Sequence, residues 1–171
     1  MLNVAYVGAL YHPKGLKTLY YLTNDFTVPV NWFIFGWITD HYKQYQCDNA
    51  FVYGPYRTTC ELYDLLDYYN IDIVIMPNEC PESFSYVLSE IWEYKIPVLG
   101  TDRGSVCSRI EQTGCGWICN PSKMGEKLKW LNDNPDEIDT VINRLYDYDV
   151  TSIEKMHTDY KNLYAKLIHD S

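Results

Sequence analysis

Residues 71–100, IDIVIMPNECPESFSYVLSEIWEYKIPVLG, read as strand, helix, strand. Ile71 to Met76 is apolar enough for a central strand buried on both faces. Ser83 to Tyr94 predicts an amphipathic helix. Phe84, Val87, Leu88, Ile91 and Trp92 recur at helical spacing, and Tyr86, Ser89, Glu90 and Glu93 occupy the other face. Pro97 to Gly100 supplies the next short strand. Two strands joined through a helix form a parallel crossover unit, and that unit sets the expectation for the rest of the chain.

Outward from this segment the alternation continues. Toward the N-terminus, Leu2 to Val7, Val30 to Phe35 and Ala50 to Tyr53 read as strands. Gly15 to Asp25, Thr39 to Gln46 and Thr58 to Tyr69 read as the helices between them. Toward the C-terminus, Ser105 to Gln112 is a helix ended by Gly114, and Gly116 to Cys119 is a sixth strand. Lys123 to Asn132, Asp136 to Asp147 and Ser152 to His169 complete the chain as helices. The last carries an apolar stripe of Tyr160, Leu163, Tyr164, Leu167 and Ile168, expected to pack back on the sheet or to lie partly exposed. Six such strands predict an α/β domain with a Rossmann-like, doubly wound parallel sheet and helices on both faces. Ligands of such sheets sit beyond the carboxyl ends of the strands near the topological switch.

The totals agree with one domain spanning 1–171, with a core over about 1–150 and a terminal helix over 151–171. A chain of 171 residues buries roughly 70% of its unfolded surface, enough for one hydrophobic core. The net charge of −9 and the pI of about 4.8 argue against a broad footprint for nucleic acid or anionic lipid. Any anionic ligand must be held by a few local groups. Six cysteines (Cys47, Cys60, Cys80, Cys107, Cys115 and Cys119) show no CxxC pair and no zinc-finger spacing, so reduced thiols and no metal are expected. No apolar run approaches the ~20 residues of a membrane span, and no export leader precedes the first strand. A start almost directly on a core strand suggests a domain separated from an N-terminal neighbour.

Three constellations carry potential chemistry. Glu82 precedes the predicted helix and Glu90 lies eight residues on. A fully helical interval would separate them by ~12 Å along the axis, beyond the ~5–9.5 Å of a glycosidase carboxylate pair. Such spacing suits the two ends of an extended ligand, with the free N–H groups of Phe84, Ser85 and Tyr86 between them for an anion. The plain alternative is that both are solvated helix-face acids, as most glutamates are. Second, VGALYHPKG turns at Gly8 and brings Lys14 and Gly15 to a helix start. It matches neither GxGxxG nor GxxxxGK[ST], and an ordinary turn with a surface lysine explains it equally. Third, YGPYR places Tyr53, Tyr56 and Arg57 where they could frame a planar base, although 17 tyrosines make a loop tyrosine unremarkable by itself. His12 could reach a ligand in the first loop; His41, His157 and His169 read as surface helix residues. No nucleophile elbow is present.

In order, VG…KG, then PESFSYVLSE, then IPVLGTDRG, the chain resembles the C-terminal half of family-four (group 1) glycosyltransferases of the GT-B fold, from Leu2 to about Pro121. There the corresponding pieces look like VGR…KG, E-x7-E within EPFG…EA, and PV…TD.G. The PE[ST]FSY.LSE wording is most similar to a subgroup in large bacterial proteins of surface-polysaccharide synthesis.

The resemblance implies that Glu82 faces the transferred sugar as the catalytic-site acid. Glu90 accepts from the ribose hydroxyls, and Gly8, Lys14, Ser83, Phe84, Ser85 and Tyr86 hold the donor diphosphate. It also implies a UDP-, GDP- or dTDP-sugar donor, retention of configuration, no metal or cofactor, and a glycan or lipid-linked acceptor. The acceptor half lies in an N-terminal domain outside this chain, and the setting is cytoplasmic, peripheral to the inner membrane face through that domain. Two departures stand out. Ala9 replaces an arginine that grips the diphosphate, a role Arg57 or Arg103 would have to fill, and Ser85 replaces a glycine. The rival readings are a non-catalytic scaffold of the same fold and a nucleotide-sugar epimerase half.

Overall fold

The computed structural model describes residues 1–25, 27–38, 49–149 and 153–169. Six strands, β1 (Leu2–Val7), β2 (Val30–Phe35), β3 (Ala50–Gly54), β4 (Ile73–Met76), β5 (Val98–Thr101) and β6 (Gly116–Cys119), form one sheet. Its order is β3-β2-β1-β4-β5-β6, with every pair parallel. The helices are α1 (Leu16–Asn24), α2 (Thr59–Tyr68), α3 (Tyr86–Glu93), α4 (Gly104–Thr113), α5 (Met124–Asp133), α6 (Pro135–Asp147) and α7 (Ile153–His169). This is the Rossmann-like doubly wound sheet that the sequence predicts, and its switch point lies between β1 and β4.

The period-2 alternation of the central strands explains why helices cover both faces. Ala5 and Val7 of β1, with Val74 and Met76 of β4, enter a core shared with Leu62, Leu66, Leu88, Ile91 and Trp92 of α2 and α3. Val4, Tyr6, Ile73 and Ile75 point the other way, onto Leu16 and Leu19 of α1 and Leu128 and Leu131 of α5. All four residues of β4 are buried, which is why that strand reads as an unbroken apolar run.

Helix α2 falls within the expected Thr58–Tyr69 span, with Thr58 as its N-cap. Thr58 is extended and its side chain accepts from the Glu61 N–H at 3.1 Å. Thr58→Ala is expected to cost about 1 kcal/mol, read as a fall of roughly 2–4 °C in thermal unfolding for a chain of this size.

Helix α3 departs from expectation, beginning at Tyr86 and not at Ser83. Ser85 is the N-cap, in extended conformation, with its hydroxyl accepting from the Leu88 N–H at 3.4 Å. The preceding residues are drawn away because the Ser105 N–H at the start of α4 donates to the Glu82 carbonyl at 2.9 Å. Phe84, outside the helix, is therefore half exposed, whereas Leu88, Ile91 and Trp92 are fully buried. Helix α7 is exposed along residues 155–168, so of the two expected arrangements the exposed one is found. The helix expected over Thr39–Gln46, with His41 and Cys47, lies outside the described residues.

Candidate functional site

The loops after β1 and β4 meet at the switch point, and glycine permits the meeting. Gly8, at φ +111°, donates its N–H to the Phe35 carbonyl at 2.8 Å, and its missing side chain faces Val87 of α3 at 3.8 Å. The chain then passes through a 3-10 turn, His12–Lys14, closed by Gly15 in the left-handed region at φ +87°. A Cβ at Gly15 would run into the carbonyl of Pro77, just after β4. This close approach carries Lys14 to the acidic loop.

Lys14 Nζ pairs with Glu82 Oε1, and the Asn78 side-chain amide donates to the same oxygen at 2.7 Å. Glu82 retains 14% side-chain exposure, while Asn78 is buried. These residues, with Tyr6, Gly8, Tyr11 and Ser85, line a cavity of about 230 Å³. Tyr6 donates its hydroxyl to the Ala9 carbonyl at 2.9 Å. Burial, then the carboxylate of Glu82, then the Tyr11 and Tyr56 hydroxyls push its pKa far above the ordinary phenol value. Tyr6 is thus a permanently neutral donor.

Glu90 sits one turn into α3. Burial, and secondarily the nearby carboxylate of Glu93, hold its carboxyl above the usual carboxylate range. The Tyr56 hydroxyl is raised by burial and then by Glu90. Glu90 does not line the Tyr6–Glu82 cavity, whose wall on the α3 side is formed by Ser85 and Val87. The first-turn amides of Tyr86 and Val87 lie between Glu82 and Glu90 in sequence, without intrahelical partners. The third such amide, Leu88, is capped by Ser85. The amide cluster is therefore shifted from the expected Phe84–Tyr86 toward Tyr86–Val87.

Other expected residues lie apart. Ser83 and Phe84 border two open grooves outside the Tyr6–Glu82 cavity, one against Ser105 and Arg109 of α4 and one against Tyr11 and Lys14. The Phe84 ring packs 4.7 Å from the Arg109 guanidinium, and the Tyr86 side chain is 76% exposed. Tyr53 donates to Glu61 Oε1 at 3.0 Å, and the Arg57 backbone amide donates to Glu61 Oε2 at 2.7 Å, so Glu61 fixes the loop after β3. His12 lies 3.5 Å from Glu79. Arg103 donates to the Glu79 carbonyl at 2.6 Å and borders a separate groove of about 670 Å³ between α1 and α5. Neither Arg57 nor Arg103 lines the cavity that contains Ala9, where Lys14 is the one cationic side chain among the described residues.

Residues that sequence reasoning missed are Asn78, Tyr6 and Arg109. Arg109 donates to the Ser85 carbonyl and the Ser89 hydroxyl, both at 2.9 Å, and so fixes the start of α3 from α4. A polar residue two positions after the fully buried β4 was the available signal for Asn78. Among the described residues no cluster of His, Cys, Asp or Glu is arranged to hold a metal ion, and none forms a helix long and apolar enough to cross a membrane.

The fold matches the C-terminal half of GT-B glycosyltransferases. The family model for group 1 glycosyl transferases matches residues 3–145, and the chain belongs to that family. Among solved structures, it is similar to sucrose-phosphate synthase from Thermosynechococcus elongatus, with a TM-score of 0.77, 17% identity, and coverage of 99% of this chain and 46% of that one. HepE from Anabaena, solved in complex with UDP and glucose, gives a TM-score of 0.76 at 15% identity, covering 96% and 48%. The C-terminal domain of the group 1 protein LpcC from Francisella tularensis gives 0.59 at 15% identity, covering 85% and 83%. The chain thus spans about half the length of the first two. A comparison with curated protein sequences gives no match.

Proposed function

We propose that this chain is the donor-binding half of a retaining glycosyltransferase, moving a sugar from a nucleoside diphosphate sugar to a glycan or lipid-linked acceptor in bacterial surface-polysaccharide synthesis. The observation that carries the reading is the meeting of Lys14 and Glu82 in one cavity whose wall also includes Ser85 and Val87 at the start of α3. The diphosphate takes the Lys14 ammonium and the amides of Tyr86 and Val87, while Glu82 accepts from the sugar and Glu90 from the ribose. Tyr56 and Arg57 in the loop after β3, with Tyr53 near the end of that strand, border the base. At about 230 Å³ the cavity is smaller than the ~300–1,000 Å³ of typical ligand sites, so it takes the sugar-diphosphate end and leaves the nucleoside along α3. Charge that develops on the leaving diphosphate is stabilised by Lys14 and the positive end of α3.

Acceptor binding belongs to an N-terminal domain, working in the cytoplasm at the inner membrane face, and this chain alone transfers nothing. The full-length parent, given a labelled donor, is expected to yield transferred sugar with retained anomeric configuration. An epimerised donor, or no product, contradicts the reading.

Glu90 gives a pH signature. Its pKa is raised in the folded chain, so its favourable contribution to folding is complete below the unfolded value and is lost as pH rises through the folded one. Ribose hydroxyls favour the ionised form, so affinity for UDP-glucose falls as pH drops through the raised pKa. The expected result is tighter binding at neutral pH than under acid conditions. Glu90→Gln should flatten that dependence in calorimetric titrations; an unchanged profile removes Glu90 from the site.

A further inference from the structure

Glu82 is held from more directions than a surface glutamate needs. Its backbone is fixed by α4: the Ser105 N–H donates to its carbonyl at 2.9 Å, and Gly104, at φ +64°, approaches so closely that a Cβ there would lie 2.6 Å from the Glu82 nitrogen. Its side chain is fixed by Asn78, which is 4% exposed and donates to Oε1 at 2.7 Å. Asn78 is fixed in turn by the fully buried Thr101 at the end of β5, whose hydroxyl donates to the Asn78 carbonyl at 2.9 Å. Lys14 shares Oε1, and among the described residues none donates to Oε2.

We infer that Asn78, seated by Thr101, is a positioning residue that turns the Glu82 carboxylate so that Oε2 faces the donor sugar. This rests on the donor-site reading given above. A buried amide that spends one donor on a carboxylate fixes that carboxylate's rotation, because breaking the bond leaves both polar groups poorly solvated. Both protein donors fall on one oxygen, so the other remains available to accept a sugar hydroxyl. Lys14 can move from Glu82 to a phosphate when ligand binds, whereas buried Asn78 cannot leave. Asn78 therefore preserves the orientation of Glu82 at the moment Lys14 changes partner.

The test compares UDP with UDP-glucose by calorimetry on the unaltered chain, on Asn78→Leu and on Thr101→Val. Both substitutions keep side-chain size close and remove the donor without adding charge. Loss of one charge-assisted hydrogen bond to the sugar corresponds to about tenfold in affinity. Asn78→Leu should weaken UDP-glucose by about that factor and leave UDP within about twofold, with Thr101→Val smaller in the same direction. Equal weakening of both ligands, or no change in either, overturns the positioning role and leaves the donor site standing. Failure of the unaltered chain to bind either ligand overturns the donor site and the positioning role together.

Discussion

Gly15→Ala is expected to destabilise the fold by about 3 kcal/mol or more and to abolish nucleotide binding at the same time. Two costs combine. Gly15 is at φ +87°, a conformation that L side chains rarely adopt, and its missing Cβ points at the Pro77 carbonyl, which is backbone and cannot swing aside. The loops after β1 and β4 would have to separate, and Lys14 and Glu82 ride on those two loops. For a chain of this size the stability loss corresponds to a fall of roughly 6–12 °C in thermal unfolding. Gly54→Ala is the control: its φ is +99°, but nothing lies within 4 Å of its Cβ position, so only the conformational cost of about 1 kcal/mol applies. Equal melting temperatures for the two variants would show that the loop contact does not matter.

Lys14→Ala is expected to weaken binding of a nucleoside diphosphate sugar by about thirtyfold, while changing stability by under about 1 kcal/mol. The asymmetry follows from where the ammonium sits. Lys14 keeps 32% side-chain exposure, so its pairing with Glu82 is screened by water and contributes little to folding. Among the described residues lining that cavity it is nevertheless the one cationic side chain, since Ala9 offers none and Arg57 and Arg103 lie elsewhere. With one cation against a diphosphate, removal leaves only the helix amides. Calorimetric titration and thermal unfolding of the same variant separate the two effects. A large fall in melting temperature with unchanged affinity would make Lys14 a structural residue.

Much of the architecture was legible because strand burial writes itself into composition. Ile73–Met76 is buried on both faces and is apolar without interruption, and the α2 segment carries Leu62, Leu65 and Leu66 on its buried side. The start of α3 was harder to read. Ser83 and Ser85 are both chemically fit to cap, neither has an acid three residues on, and the choice is made by α4, whose Ser105 amide captures the Glu82 carbonyl. The two acids and the lysine of the site were visible as motif positions, but their relations were not. Lys14 and Glu82 are 68 residues apart, and Arg109 lies 24 residues beyond the carbonyl it anchors, separations that no local pattern encodes. Asn78 was overlooked because an asparagine after a strand reads as a turn residue.

The central claim is that one elongated, doubly phosphorylated ligand lies from Glu82 to Glu90 across the start of α3. Amide chemical-shift mapping of the isotope-labelled chain, titrated with UDP-glucose, GDP-mannose and dTDP-glucose, tests it directly. The account predicts saturable shifts for at least one of them at Gly8, Lys14, Tyr86, Val87 and Glu90, with the α1–α5 groove around Lys17 and Lys129 unaffected. Shifts confined to that groove, or none with any of the three, would contradict it.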